Sequence, residues 1–130
     1  MVTTGNEVYS GRIKDAFGPV LRQKFEDLGS IILGQRFSDD SVEMTVRGIR
    51  DFIAQGADMV VCTGGMSVDP GDVTRPALLD AGLTDMLYGM PVLPGAMAMV
   101  GRMESPNGDI QVMGVPACAL FFKNTVFDLL

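Results

Sequence analysis

The stretch that decides the fold runs Met59-Val60-Val61-Cys62-Thr63-Gly64-Gly65-Met66-Ser67-Val68-Asp69-Pro70-Gly71-Asp72-Val73-Thr74. A short apolar run enters a loop of small residues, and a helical pattern follows. That is a buried strand, a tight loop and a helix. Such a loop brings backbone N–H groups close to a ligand at the end of a helix dipole that favours anions. Unlike a plain phosphate loop, it also carries two carboxylates, Asp69 and Asp72. Backbone donors beside acidic side chains point to a phosphorylated ligand bound with a divalent cation.

The rest of the chain extends the same alternation. Asp15 to Leu28 places Phe17, Leu21, Phe25 and Leu28 on one helical face, and Gly29 stops it. Ser30 to Gln35 reads as a strand. Ser41 to Gln55 reads as a helix, with Val42, Val46, Ile49 and Ile53 on its apolar side. Asp40 is its expected N-cap, with Glu43 in a capping-box position. Thr74 to Ala81 is a short helix, and Met86 to Gly95 a Gly- and Pro-punctuated connection. Ala98–Met103 and Ile110–Val115 are strand-like around the Ser105-Pro106-Asn107-Gly108 turn. Ala117 to Leu130 completes the pattern as a final helix, and Val2-Thr3-Thr4 supplies a very short first strand. The expectation is a three-layer α/β/α sandwich with a mainly parallel sheet plus one antiparallel hairpin strand.

Composition narrows the chemistry. The chain has 130 residues, 47% hydrophobic and 20% charged, which suits one globular domain. Its net charge of −6 argues against a nucleic-acid or anionic-membrane partner. No apolar run approaches the ~20 residues of a membrane span. There is no histidine, so imidazole catalysis and His-ligated zinc are excluded within the chain. Cys62 and Cys118 read as structural thiols, and a cytoplasmic location is expected.

In an open α/β sheet, ligands bind beyond the carboxyl ends of the strands. Three polar segments follow strands here: Thr4 to Arg12, Ser38-Asp39-Asp40, and the Thr63–Thr74 loop. Topology therefore gathers Glu7, Asp39, Asp40, Asp69 and Asp72 with two glycine clusters on one edge. Each element also has a purely structural reading: Gly5-Asn6 as a tight turn, Asp39-Asp40 as helix caps, Gly64-Gly65 as a sharp strand exit, Met66 as core filler. Crowded carboxylates repel, and a bound cation or a protonation shift is the usual reason they are tolerated. Asp39, Asp40, Asp69 and Asp72 are accordingly the candidate metal ligands.

Thr4-Gly5-Asn6-Glu7, Asp39-Asp40, Thr63-Gly64-Gly65-Met66-Ser67 with Asp72-Val73-Thr74, Leu93-Pro94-Gly95 and Gly114-Val115-Pro116 resemble the molybdopterin-binding domain of molybdenum cofactor biosynthesis. The family includes molybdopterin adenylyltransferases and molybdotransferases, and the likeness covers nearly the whole chain in order. The resemblance implies that Thr63, Gly64, Gly65 and Ser67 cradle molybdopterin, with Gly5, Asn6, Glu7, Met66, Pro94, Gly95 and Pro116 around it. It implies that Asp39 and Asp72 are the catalytic acids. Mg²⁺ is the expected cofactor, ATP or molybdate the expected co-substrate, and a homo-oligomer the expected assembly. Residues 1–130 then read as one such domain excised from a longer chain.

Two departures from the pattern matter. Met66-Ser67 stands where adenylyltransferases usually have Thr-Gly, and Val115-Pro116-Ala117-Cys118-Ala119 replaces a Leu-Pro-Gly-Asn-Pro-type loop. They favour, as an alternative, a non-catalytic pterin-binding module for delivery or sensing. A second alternative is the nucleotide pyrophosphatase domain of competence-damage-type proteins, against which Gly71-Asp72 and Met66-Ser67 argue.

Overall fold

Val2–Thr4 (β1) lies between Arg36–Ser38 (β2) and Met59–Thr63 (β3), parallel to both. This is the start of a six-stranded sheet in the computed structural model, which describes residues 1–129. The remaining strands are Leu83–Tyr88 (β4), Met99–Met103 (β5) and Ile110–Val115 (β6), and the order across the sheet is β2-β1-β3-β6-β5-β4. β6 is parallel to β3, with Val60 opposite Val112 and Thr63 opposite Val115. β5 is antiparallel to both β6 and β4. β5 alone therefore runs against the others, as a mainly parallel sheet with one reversed hairpin strand requires.

Alternation along the strands sends side chains into two cores. Val60, Cys62, Ile110 and Val112 pack with Ile49 and Phe52 of Val42–Ala54 (α3) and Leu78 of Thr74–Ala81 (α4). Val61 and Val115 pack on the other face with Leu21 and Phe25 of Phe17–Asp27 (α2), and with Ala119 and Phe127. The result is three layers. Full burial of a side chain such as Ile49 contributes about 1.5–3 kcal/mol. A four-residue helix, Asn6–Tyr9 (α1), follows β1. No helix among the described residues is long and apolar enough to cross a membrane.

Four expectations from the sequence need correction. Ser30–Gln35 is not a strand: Ile31 is 87% exposed, and the pairing strand is the shorter β2 further on. The helix expected over Ala117–Leu130 is two 3₁₀ turns, Ala117–Leu120 and Val126–Leu129, with Phe121 and Phe122 exposed between them; Leu130 itself lies outside the described residues. The N-cap of α3 is Ser41, whose hydroxyl accepts the Met44 N–H at 3.3 Å, and not Asp40. Finally, β4 occupies part of the segment expected to be a plain connection. Its Asp85 sits at φ 49°, and its pairing shifts between Thr84 and Leu87. That break in alternation hides a strand from a period-two reading.

Candidate functional site at the carboxyl edge of the sheet

β1, β2, β3 and β6 all end on one edge of the sheet. Because β5 is reversed, the segment leading into it returns to that edge, beside the end of β4. Gly5 to Glu7, Asp39 and Asp40, Thr63 to Asp72, Pro94 and Gly95, and Pro116 are thus carried on neighbouring loops.

Threonine hydroxyls hold the centre. Thr4 Oγ1 and Thr74 Oγ1 are 2.9 Å apart, and Thr74 Oγ1 donates to Gly64 O at 2.7 Å. Thr63 Oγ1 donates to Thr3 Oγ1 at 3.0 Å. Thr3, Thr4, Thr63 and Thr74 are all buried, so these bonds satisfy groups that could not otherwise leave water cheaply. The glycines follow from this closeness. A Cβ on Gly64 would stand 2.2 Å from Thr4 O, and its φ is 75°. No L side chain fits there without moving the β1 backbone. The sharp-exit reading of Gly64 is therefore satisfied by packing alone. The N–H groups of Gly65, Met66 and Ser67 have no hydrogen-bond partner among the described residues.

The acids separate. Asp39 Oδ1 accepts from the Ser41 N–H at 3.1 Å and from its hydroxyl, which closes the turn into α3. Asp40 Oδ2 accepts the Asn6 N–H at 3.1 Å, tying the β1 loop to the β2 loop. The Asp72 N–H donates to Asp69 O at 2.9 Å. Asp72 Oδ2 is buried without a partner. Among the described residues no three acids or cysteines converge on one point. The expected metal set of Asp39, Asp40, Asp69 and Asp72 does not converge as a group of three or more among the described residues: the first two spend an oxygen each on the backbone, and Asp72 keeps a buried oxygen without a partner.

Other candidates serve the fold where they stand. The Met66 side chain is core: it is 4% exposed and packs so closely on Gly114 that a Cβ there would meet its Cε at 2.3 Å. Only the Met66 backbone faces the loop. Pro94 O accepts the Val126 N–H at 3.0 Å, and a Cβ on Gly95 would lie 2.2 Å from Val126 Cγ1. Pro116 O accepts the Ala119 N–H at 3.1 Å. Pro94 and Gly95 hold the C-terminal segment to the edge, and the Pro116 carbonyl closes the first turn of that segment. Cys62 is fully buried and its thiol is pushed up to about 12, so it is no nucleophile.

Two residues at this edge went unnoticed in the sequence. The Tyr88 hydroxyl donates to Met66 O at 2.9 Å. The Arg75 guanidinium, on the first turn of α4, lies 4.7 Å from the centre of the Tyr88 ring. Recognition of β4 was the signal that could have found them, since Tyr88 is its last residue.

A family model described as a probable molybdopterin binding domain matches residues 1–130. The chain belongs to this family. As a molybdopterin-binding-family domain it is 26% identical over 105 residues to a molybdenum cofactor biosynthesis bifunctional protein of Synechococcus elongatus, covering 81% of this chain and 32% of that protein. It is 33% identical over 135 residues to a CinA-like protein of Mycolicibacterium gilvum, covering 85% of this chain and 31% of the relative. The domain thus spans about a third of the length of these two relatives. Among solved structures, the tungsten cofactor synthesizing protein MoaB of Pyrococcus furiosus superposes with a TM-score of 0.73 at 17% identity, over 92% of this chain and 82% of that one. That likeness is one of fold.

Proposed function

We propose that the carboxyl edge of the sheet binds molybdopterin and serves a Mg²⁺-assisted step of molybdenum cofactor biosynthesis, either adenylyl transfer with ATP or molybdate insertion. The observation that carries the proposal is Asp72, whose buried Oδ2 lacks a partner beside a loop with three unpaired N–H groups. A buried carboxylate oxygen left unsatisfied costs about 1–3 kcal/mol or more, and a ligand that supplies its partner recovers that cost.

The residues fit one Mg²⁺ in a particular way. Mg²⁺ is commonly held by one or two carboxylates plus substrate phosphates and water. Asp72 would supply the protein ligand, and the cation would neutralise phosphate charge in a domain whose net charge is −6. Gly65, Met66 and Ser67 would donate backbone N–H groups to phosphate oxygens, as preorganised dipoles. Asn6, placed by Asp40, and Glu7 would line the neighbouring wall. Catalysis here would consist of holding and orienting two charged partners, since this chain offers no histidine and the Cys62 thiol is buried in the core.

The test is turnover. The protein incubated with molybdopterin, ATP and Mg²⁺ should yield adenylylated pterin. Binding without product, in the longest chain that contains this domain, would leave a delivery or sensing module. The likeness to a CinA-like protein over 85% of the chain supports a second reading, pyrophosphate cleavage in a nucleotide. Hydrolysis of ADP-ribose without any action on the pterin would establish that reading instead.

A further inference from the structure

We propose that Tyr88 is a positioning residue of the anion-binding loop, its hydroxyl fixing the Met66–Ser67 peptide so that the Ser67 N–H is held ready for the ligand. The inference rests on the reading of this edge as a phosphate-binding site. Its structural half stands on four observations of its own.

The first is the hydrogen bond from Tyr88 Oη to Met66 O at 2.9 Å, half-buried and spanning 22 residues of sequence. In a planar trans peptide the C=O and the following N–H point in opposite directions. With Met66 O turned to Tyr88, the Ser67 N–H points away from it. The second observation is that this N–H has no partner among the described residues, while Ser67 itself is exposed. The third is the anchor on the same residue: the Met66 side chain is locked against Gly114, so the peptide between anchor and hydroxyl has little room to turn. The fourth is Arg75, whose guanidinium covers the Tyr88 ring at 4.7 Å. It steadies the ring and places a positive charge beside a loop otherwise carrying acids.

The physical consequence is directional. If the Met66–Ser67 peptide turned over, a carbonyl would face the anion in place of a donor. Tyr88 belongs to the edge hairpin, far in sequence from the loop it fixes. Its role is exerted through the peptide it holds.

The experiment uses Tyr88→Phe, which deletes the hydroxyl and keeps the ring, with Mg²⁺-pyrophosphate as the probe. Calorimetric titration should show affinity falling about five- to tenfold, the size of one net hydrogen bond. Hydrogen–deuterium exchange without ligand should speed up in residues 65 to 69 and stay unchanged in α3 and β3. The melting temperature should move by no more than ~4 °C. Arg75→Ala should shift exchange and affinity in the same direction by a smaller factor. Unchanged loop exchange in Tyr88→Phe overturns the proposal, and so does an increase spread over the whole protein, which makes the hydroxyl a general stabiliser. If the wild type binds no pyrophosphate but its loop exchange still depends on Tyr88, the positioning role stands and the phosphate-site reading fails.

Discussion

At their N-terminal ends, β3 and β6 emerge beside Asp58, Met59, Asp109 and Gln111, around an open cavity of about 770 Å³ that Phe25, Ile31, Ile32 and Leu33 also line. At their C-terminal ends the same strands deliver Thr63 and Val115 into short loops packed on one another by hydroxyls and glycines. An open hollow thus lies at the amino end, and the unsatisfied polar groups are at the other. Cavity volume marks only open space. Unpaired N–H groups and an orphaned carboxylate oxygen mark where a polar ligand has something to gain. For an anionic ligand the second signal decides.

Substitutions can break this contrast by uncoupling stability from binding at each end. The largest effect should come from Phe25→Ala on the cavity side. Phe25 is 7% exposed and meets Phe127 edge-on with centroids 5.4 Å apart. Denaturant titration should show a loss of about 3–5 kcal/mol, while the folded fraction binds Mg²⁺-pyrophosphate as before. Gly64→Ala should cost about 2–3 kcal/mol from strain and the clash with Thr4 O. Unlike the first variant, it should also abolish binding, because the loop backbone itself has to shift.

Asp72→Asn sharpens the contrast from the other side. Replacing a half-buried carboxylate whose inner oxygen has no partner should leave thermal stability equal or slightly higher. Mg²⁺-dependent binding should weaken about tenfold or more, the weight of a hydrogen bond to a charged group. A clear loss of melting temperature with unaltered binding would make Asp72 structural and would move the candidate site elsewhere.

The smallest expected effect belongs to neither end. Asp128 sits on the α2 face, where burial alone would raise its carboxyl. Hydrogen bonds from Lys24 and Thr125 outweigh that and hold it below the usual carboxylate range. A lowered folded-state value contributes stability above the ordinary carboxylate pKa, and that stability is lost as pH falls through the folded value. Part of the acid destabilisation that sets in below about pH 4, roughly 0.5 kcal/mol for a partly exposed pair, should vanish in Asp128→Asn. Thermal melts of both proteins across that range measure it.

The sequence made the architecture readable wherever periodicity was clean. The helix around Val46 and Ile49 and the strand through Val60, Val61 and Cys62 follow from their apolar spacing, and they place the Thr63–Thr74 loop correctly. It failed where local pattern and tertiary pairing disagree. Ile31 and Leu33 look like strand residues but are exposed, because pairing with β1 begins only at Arg36. Leu83 to Tyr88 is a strand whose alternation is broken at Asp85. Missing that strand meant missing Tyr88 and its bond to Met66. The grouping of loops on one edge followed from strand direction alone. The separation of Asp39 and Asp40 from Asp72 did not, because their oxygens are committed by turns that no spacing rule reveals.

The buried threonine contacts also say something about order in time. Thr4 and Thr74 are 70 residues apart in sequence, and Thr3 and Thr63 are 60 apart. β1 must wait for two later segments, since it is inserted between strands that follow it in the chain. Closing such long loops is entropically costly and slow compared with forming α3. The edge proposed to bind ligand therefore takes shape only after β1 has docked. A ligand that grips both loops would act as a clasp on the last step of folding.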